Sequence, residues 1–174
     1  MTNLAERCAA IRLVLSDVDG VLTDGRLLID NQGVESKQFH IRDGQGIRMW
    51  QQSGGQFGIV TGRSSQVVKL RAAELNVEIL RQGVDDKWLM VRSICDETDF
   101  TPAEVCYVGD DLPDLTTIEQ VGLGVAVADA AEEVRQAADY TTSVNGGHGA
   151  MREVIELLLK NTNRWEAAIR KYAS

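Results

Sequence analysis

Short β-branched runs recur along this chain, each followed by a longer amphipathic stretch, and that alternation restricts the fold more than any other feature. The runs are Arg12–Ser16, Phe57–Thr61, Glu78–Leu80, Val105–Val108 and Gly124–Ala128. The stretches are Gly46–Gln52, Gln66–Leu75, Lys87–Cys95, Asp114–Val121 and Ala131–Ala137. Continuous apolar runs suit strands covered on both faces, and amphipathic stretches suit the helices that cover them. The alternation therefore predicts an α/β fold, a parallel sheet between two helix layers with right-handed crossovers. Ligand sites of such sheets lie outside the carboxyl ends of the strands. With 174 residues, one domain spanning residues 1–174 is expected, because domains usually hold roughly 100–200 residues.

One segment breaks the alternation. Arg26–Asp30 and Val34–His40 flank Asn31-Gln32-Gly33, which reads as a β-hairpin, with Gly33 supplying the positive φ of its turn. The hairpin, about residues 26–40, follows the first strand, where a flap over the strand ends would project. Leu27, Ile29 and Val34 form an apolar set on it that a lone hairpin does not bury. Near the other end, Gly146-Gly147-His148-Gly149 precedes an amphipathic helix from Ala150 to about Leu159, and a tail or short helix occupies about residues 161–174.

Charge narrows the partners. Lys and Arg number 18 against 26 Asp and Glu, a net charge of −8, which repels nucleic acid and anionic membrane. An anionic small molecule remains compatible where arginines and a divalent cation reverse the field locally. Cys8, Cys95 and Cys106 are odd in number and lack CxxC spacing, so reduced thiols are expected rather than a disulfide framework or zinc site. Arg12 interrupts the apolar stretch near the N-terminus, which does not read as a signal peptide. The longest apolar-plus-glycine run, Val121 to Ala128, is far short of the roughly 20 residues of a membrane span. A cytoplasmic protein is expected.

The chemistry gathers at strand ends. Asp17-Val18-Asp19-Gly20 follows the first run, and residues two apart on an extended chain share a side, so Asp17 and Asp19 face one volume. Gly109-Asp110-Asp111-Leu112-Pro113-Asp114 follows the run Val105–Val108. Two carboxylate groups at neighbouring strand ends repel unless a cation lies between them, and oxygen-only ligands favour Mg²⁺. Helix capping by either group alone is the competing reading, and Asp114 in particular reads as the start of a helix. Thr61-Gly62-Arg63 ends another run, with a hydroxyl and free backbone N–H groups suited to phosphate. Asp85-Asp86-Lys87 follows the run at Glu78–Leu80 and places Lys87 at a helix start.

Taken in order, Asp-x-Asp, Thr-Gly, Lys and Gly-Asp-Asp resemble the four motifs of the haloacid dehalogenase superfamily of phosphotransferases. The resemblance covers Ile11 to about Leu159. It implies a three-layer Rossmann-like fold and an Mg²⁺-dependent phosphomonoesterase. Asp17 would be the nucleophile, and Asp19 would protonate the leaving alcohol and then activate water. Thr61 and Lys87 would bind the phosphoryl oxygens. The metal would be held by Asp17, the Asp19 carbonyl and Asp110, with Asp111 in support. Crowding by the other carboxylates is expected to favour the protonated form of Asp19.

Only the hairpin separates the first two motifs, so the chain resembles the branch without a cap domain. Asp17–Gly25, Phe39–Ile47, Thr61–Arg63, Val108–Leu112, Ala126–Ala130 and Gly146–Glu153 are similar to the family of 3-deoxy-D-manno-octulosonate 8-phosphate phosphatases. That resemblance implicates His40, Ile41, Arg42, Asp43, Gly44, Arg48, Arg63 and Arg71 in substrate contact, alongside Asp19 and Lys87. It also implies a role in lipopolysaccharide core synthesis and a homotetramer whose hairpins meet at the centre, with adjoining subunits contributing to each site. Arginine grips a carboxylate through two parallel hydrogen bonds, although a solvated helix face equally accounts for Arg48 and Arg71. Phosphatases of nonulosonate 9-phosphates are the near alternative. They tend to carry Glu where Arg63 stands. His148 and the tail depart from the family pattern. A phospho-receiver domain also combines aspartates, Thr and Lys, but it accepts phosphate at its third strand, which here ends in Arg81-Gln82-Gly83 without an aspartate.

Overall fold

The computed structural model describes residues 3–170 and 172; residues 171, 173 and 174 of the expected tail lie outside the described residues. The strands are β1 (Leu13–Ser16), β2 (Leu28–Ile29), β3 (Glu35–Ser36), β4 (Gln56–Thr61), β5 (Ile79–Gln82), β6 (Val105–Gly109), β7 (Leu123–Ala126) and β8 (Tyr140–Thr141). The helices are α1 (Leu4–Ala10), α2 (Ile41–Gln52), α3 (Gln66–Glu74), α4 (Lys87–Thr98), α5 (Leu115–Gln120), α6 (Glu132–Ala137), α7 (Ala150–Asn161) and α8 (Trp165–Arg170). Six strands pair in parallel in the order β5-β4-β1-β6-β7-β8. β1 lies between β4 and β6, with Leu13 opposite both Gln56 and Val105. All four β1 residues are buried, as the unbroken apolar run requires of a central parallel strand.

Helix α7 shows how the layers are held. Ala150, Met151, Val154, Ile155, Leu158 and Leu159 are buried, the spacing that puts one face of a helix on a core. Each fully buried Leu or Ile contributes about 1.5–3 kcal/mol. Trp50 of α2 is fully buried, and its indole N–H donates to the Gln56 carbonyl at 2.7 Å, so α2 is tied to the start of β4.

Several elements differ from expectation. Helix α2 begins at Ile41, not Gly46, capped by His40, whose Nδ1 accepts from the Arg42 N–H at 3.2 Å. Gly44 argues against a helix by propensity, yet a Cβ there would lie 2.4 Å from the Arg71 guanidinium. The glycine therefore serves close packing of α3 on α2. The hairpin is also shorter than expected. Its ladder joins only Leu28–Ile29 to Glu35–Ser36, with Asp30 Oδ1 accepting from the Gln32 and Val34 N–H groups across the turn. Between β1 and α2 the chain holds this hairpin and no inserted domain. Finally, α1 and the edge strand β8 were not anticipated.

Candidate active site

Strands β1 and β6 end side by side, and the residues following them converge. Asp17 Oδ1 accepts from the Val18 N–H at 2.6 Å, and its Oδ2 accepts from Lys87 Nζ at 2.5 Å. Lys87 is the first residue of α4, a start set by Asp86, whose side chain accepts from the Leu89 N–H. The same ammonium donates to Asp114 Oδ1 at 2.5 Å. Asp114 is wholly buried. Its Oδ1 also accepts from the Tyr107 hydroxyl at 2.7 Å, and its Oδ2 accepts from the Asp110 and Asp111 N–H groups. Asp114 is thus no ordinary helix start, because it organises the β6 end and holds Lys87 against Asp17. Asp111 faces outward, its Oδ1 accepting from the Leu112 N–H at 2.9 Å.

Carboxylate oxygens of Asp17, Asp110 and Asp114 all lie within 4.8 Å of one another. Burial, followed by the charges of Asp114 and Asp17, pushes the Asp110 pKa up to about 8. Asp17 is raised too, by burial first, with Lys87 working in the opposite direction. Burial works to lower the Lys87 pKa, but the two aspartates outweigh it and raise the value. Three carboxylates against one ammonium leave an uncompensated negative charge, and every donor is oxygen. That donor set fits a hard divalent cation. Gly20 makes the approach possible. Its φ is +93°, and a Cβ would fall 2.0 Å from Asp110 Oδ2.

The cleft is walled by Thr61, Gly62 and Arg63 after β4, by Asp85 before α4, and by Asp19, Asp111 and Pro113. Thr61 is buried at the strand end. Asp19 is not flanked by the carboxylates, contrary to expectation. Lys37 of the hairpin donates to its Oδ1, and Arg63 Nε stands 3.7 Å from its Oδ2. Glu35 links the same groups, accepting from Ser65 Oγ at 2.5 Å and from Arg63 at 3.2 Å, and lying 3.4 Å from Lys37 Nζ. The crowding anticipated at Asp19 falls on Asp110 instead.

The residues His40 to Gly44, Arg48 and Arg71 are not among the cleft lining: His40, Asp43, Gly44 and Arg71 surround a small cavity of their own, and Arg48 borders Gln56 and Ile79 at the starts of β4 and β5. Ile41 is 79% exposed and Arg42 is also exposed. Asp43 points inward, accepting from the Arg152 N–H at 2.8 Å in the first turn of α7. Arg71 bonds Glu74 at 2.7 Å and lies over the Phe39 ring, and Arg48 donates to the Glu74 carbonyl at 3.2 Å. The loop Gly146–Gly149 rests on residues 20–24, with the Gly147 N–H donating to the Val21 carbonyl at 2.9 Å. His148 Nδ1 lies 2.7 Å from the Gly146 carbonyl. Arg164, just before α8, donates to the Ser53 carbonyl and covers the Trp50 ring, so this part of the tail docks on α2 of its own chain.

Sequence reasoning missed Lys37, Glu35, Tyr107 and the inward turn of Asp114. Glu35 and Lys37 stand two apart on an extended segment, the spacing that identified Asp17 and Asp19, but lay in a hairpin read for its apolar residues.

Residues 69–154 match the haloacid dehalogenase-like hydrolase family. The chain is 46% identical over 149 residues to 3-deoxy-D-manno-octulosonate 8-phosphate phosphatase of Escherichia coli strain K12, covering 86% of this chain and 79% of that protein. It is 44% identical over 158 residues to the Salmonella typhi protein of the same name, covering 91% and 84%. Among solved structures, the Moraxella catarrhalis 3-deoxy-D-manno-octulosonate 8-phosphate phosphatase, in complex with magnesium ion, phosphate ion and KDO, superposes with a TM-score of 0.96 at 38% identity over 97% of both chains. The Yersinia pestis phosphatase of the same name gives 0.92 at 42% identity, over 94% of this chain and 88% of that one.

Proposed function

The chain belongs to the haloacid dehalogenase-like hydrolases, among the 3-deoxy-D-manno-octulosonate 8-phosphate phosphatases, and from that premise we propose that it hydrolyses this sugar-acid phosphate to the free acid and phosphate. The observation that carries the mechanism is the Asp17–Lys87–Asp114 chain beside Asp110. Asp17 is the nucleophile. Its attack forms an aspartyl-phosphate and divides one difficult displacement into two easier ones. Lys87 has three N–H donors; Asp17 and Asp114 take two, which leaves one for a phosphoryl oxygen opposite the Thr61 hydroxyl. Asp19 donates a proton to the departing sugar oxygen, then removes one from the water that releases phosphate. Asp17, the Asp19 carbonyl and Asp110 would hold Mg²⁺, which supplies the charge neutralisation that lets a carboxylate meet a phosphate dianion. Asp111, facing outward, supports this set only from outside, while Asp114 orients Lys87.

Arg63, in the cleft wall, is positioned for the sugar acid. His40 to Gly44 and Arg71 extend the contact surface, with Asp43 acting through the α7 start it bonds, whereas Arg48 lies beside the starts of β4 and β5, at the other end of the sheet from the cleft. The chain works as one domain of a homotetramer in which the exposed Leu27, Leu28, Ile29 and Val34 meet their counterparts and a neighbouring subunit walls the open cleft. No helix among the described residues is long and apolar enough to cross a membrane. A cytoplasmic step of lipopolysaccharide core synthesis suits these features. A substrate panel comparing the octulosonate 8-phosphate with nonulosonate 9-phosphates and hexose phosphates, with and without EDTA, tests the proposal. Preference for the eight-carbon acid, abolished by EDTA, is expected. Preference for a nine-carbon acid overturns the substrate, and full activity in EDTA overturns the mechanism.

A further inference from the structure

A lysine is seldom taken out of water unless its partners require it, because desolvating the charge costs several kcal/mol. The Lys37 side chain is 1% exposed, as buried as the core, yet its ammonium meets Asp19 and Glu35. It does not line the cleft. Lys37 lies behind Asp19, engages Oδ1, and leaves Oδ2 on the Arg63 side. Glu35, two residues earlier on the same extended segment, is anchored to Ser65 at the start of α3 and to Arg63. The hairpin is thereby fastened to the sheet edge by its polar side.

We propose that Lys37 and Glu35 are positioning residues that hold the Asp19 carboxylate in one orientation for both of its proton transfers. An unrestrained aspartate samples several rotamers, whereas a lysine clamped at one oxygen presents the other. The proposal rests on Asp19 being the acid and base assigned above. Neither Lys37 nor Glu35 lines the cleft in which the phosphoryl group would sit.

The leaving group separates this role from a structural one. p-Nitrophenolate departs without a proton, so formation of the aspartyl-phosphate from p-nitrophenyl phosphate needs no acid, whereas its hydrolysis still needs Asp19 as base. With Mg²⁺ present, Lys37→Met is expected to release a burst of about one p-nitrophenolate per site, followed by slow turnover. Its kcat on the octulosonate 8-phosphate falls on the order of 10²-fold, the usual cost of a misplaced catalytic group, with KM little changed. Lys37→Arg restores most of the rate. Unchanged turnover in Lys37→Met, or a burst lost together with steady-state turnover, overturns the proposal. Asp19→Asn run in parallel distinguishes the failures: full activity there overturns the assignment of Asp19 itself. Should Lys37→Met fail to fold, Glu35→Gln carries the same test, with a burst and a roughly 10-fold slower turnover expected. Unchanged turnover or an absent burst in that variant overturns the proposal equally.

Discussion

At the ends of β1 and β6 Asp17, Asp114 and Lys87 are drawn almost wholly out of water, with Asp110 half-buried beside them. On the hairpin, Leu27, Leu28, Ile29 and Val34 are half or more exposed. The two regions invert the usual distribution of polarity, for different reasons. The cleft's buried charges are partnered within the chain, and their remaining imbalance points to a small cation. The hairpin's apolar groups stay exposed among the described residues, and their imbalance points to another surface. A buried polar cluster therefore reports on a ligand, and an exposed apolar one on a neighbour.

The largest effect should come from Asp17→Asn. Loss of about 10⁴-fold or more in kcat is expected, since a removed nucleophile leaves no covalent route, while circular dichroism and melting show an intact fold. Residual turnover near that of the parent would break the distinction between cleft chemistry and cleft stability. A smaller effect is expected of Gly20→Ala. Its Cβ would displace Asp110 and strain a backbone with φ +93°, so the Mg²⁺ concentration for half-maximal activity should rise at least about 10-fold, as 1.4 kcal/mol of lost binding would produce. Unchanged Mg²⁺ dependence would show that Asp110 is not a ligand.

Next comes pH. Asp110 titrates at about 8 when folded against 3.8 as a free side chain. Without metal, the folded form holds its proton more tightly, so this group's stabilising contribution is full below about pH 4 and is lost as pH rises through about 8. Mg²⁺ must displace that proton. The rise in Tm on adding Mg²⁺ should therefore grow from pH 6 to pH 9, measured by paired melts in EDTA and in Mg²⁺. A rise independent of pH would contradict a protonated Asp110. The smallest effect on stability belongs to Ile29→Glu, within about 0.5 kcal/mol for a monomer because the side chain is exposed. The same change should dissociate the proposed tetramer in sedimentation and weaken preference for the sugar acid over p-nitrophenyl phosphate. Dissociation without that second effect would mean that each subunit completes its own site.

The same contrast explains what was legible in the amino-acid sequence. Asp17, Thr61 and Asp110 were readable because each ends or follows a buried strand whose apolar run is unmistakable, and Lys87 because it opens the helix after the half-buried β5; parallel pairing places those ends together. Asp114 was not, because its inward turn depends on the short 3₁₀ segment Leu112–Asp114 and on the hydroxyl of Tyr107, a residue that reads as plain core. Helix α2 was legible only from Gly46, leaving out Gly44, yet the value of both glycines lies in contacts with Arg71 and Arg152 from other elements. Lys37 escaped notice because nothing local distinguishes a buried lysine from a solvated one. Its environment comes from Asp19, eighteen residues earlier in the chain. Patterns set by neighbours in sequence were visible; those set by tertiary packing were not.

The pairing of β1 with β6 has a consequence for biosynthesis. Leu13 meets Val105, so the strand that leads into Asp17 emerges from the ribosome long before the strand that positions Asp110 and Asp114. Until β6 has emerged and docked, a nascent chain has Asp17 but neither its neighbouring carboxylates nor the anchor that steadies Lys87. Such distant pairings form late, because chain closure must precede any gain from them. Hydrolysis thus cannot begin before β6 and the turn that follows it have docked, and a chain that stops short of Asp114 lacks a carboxylate that holds Lys87.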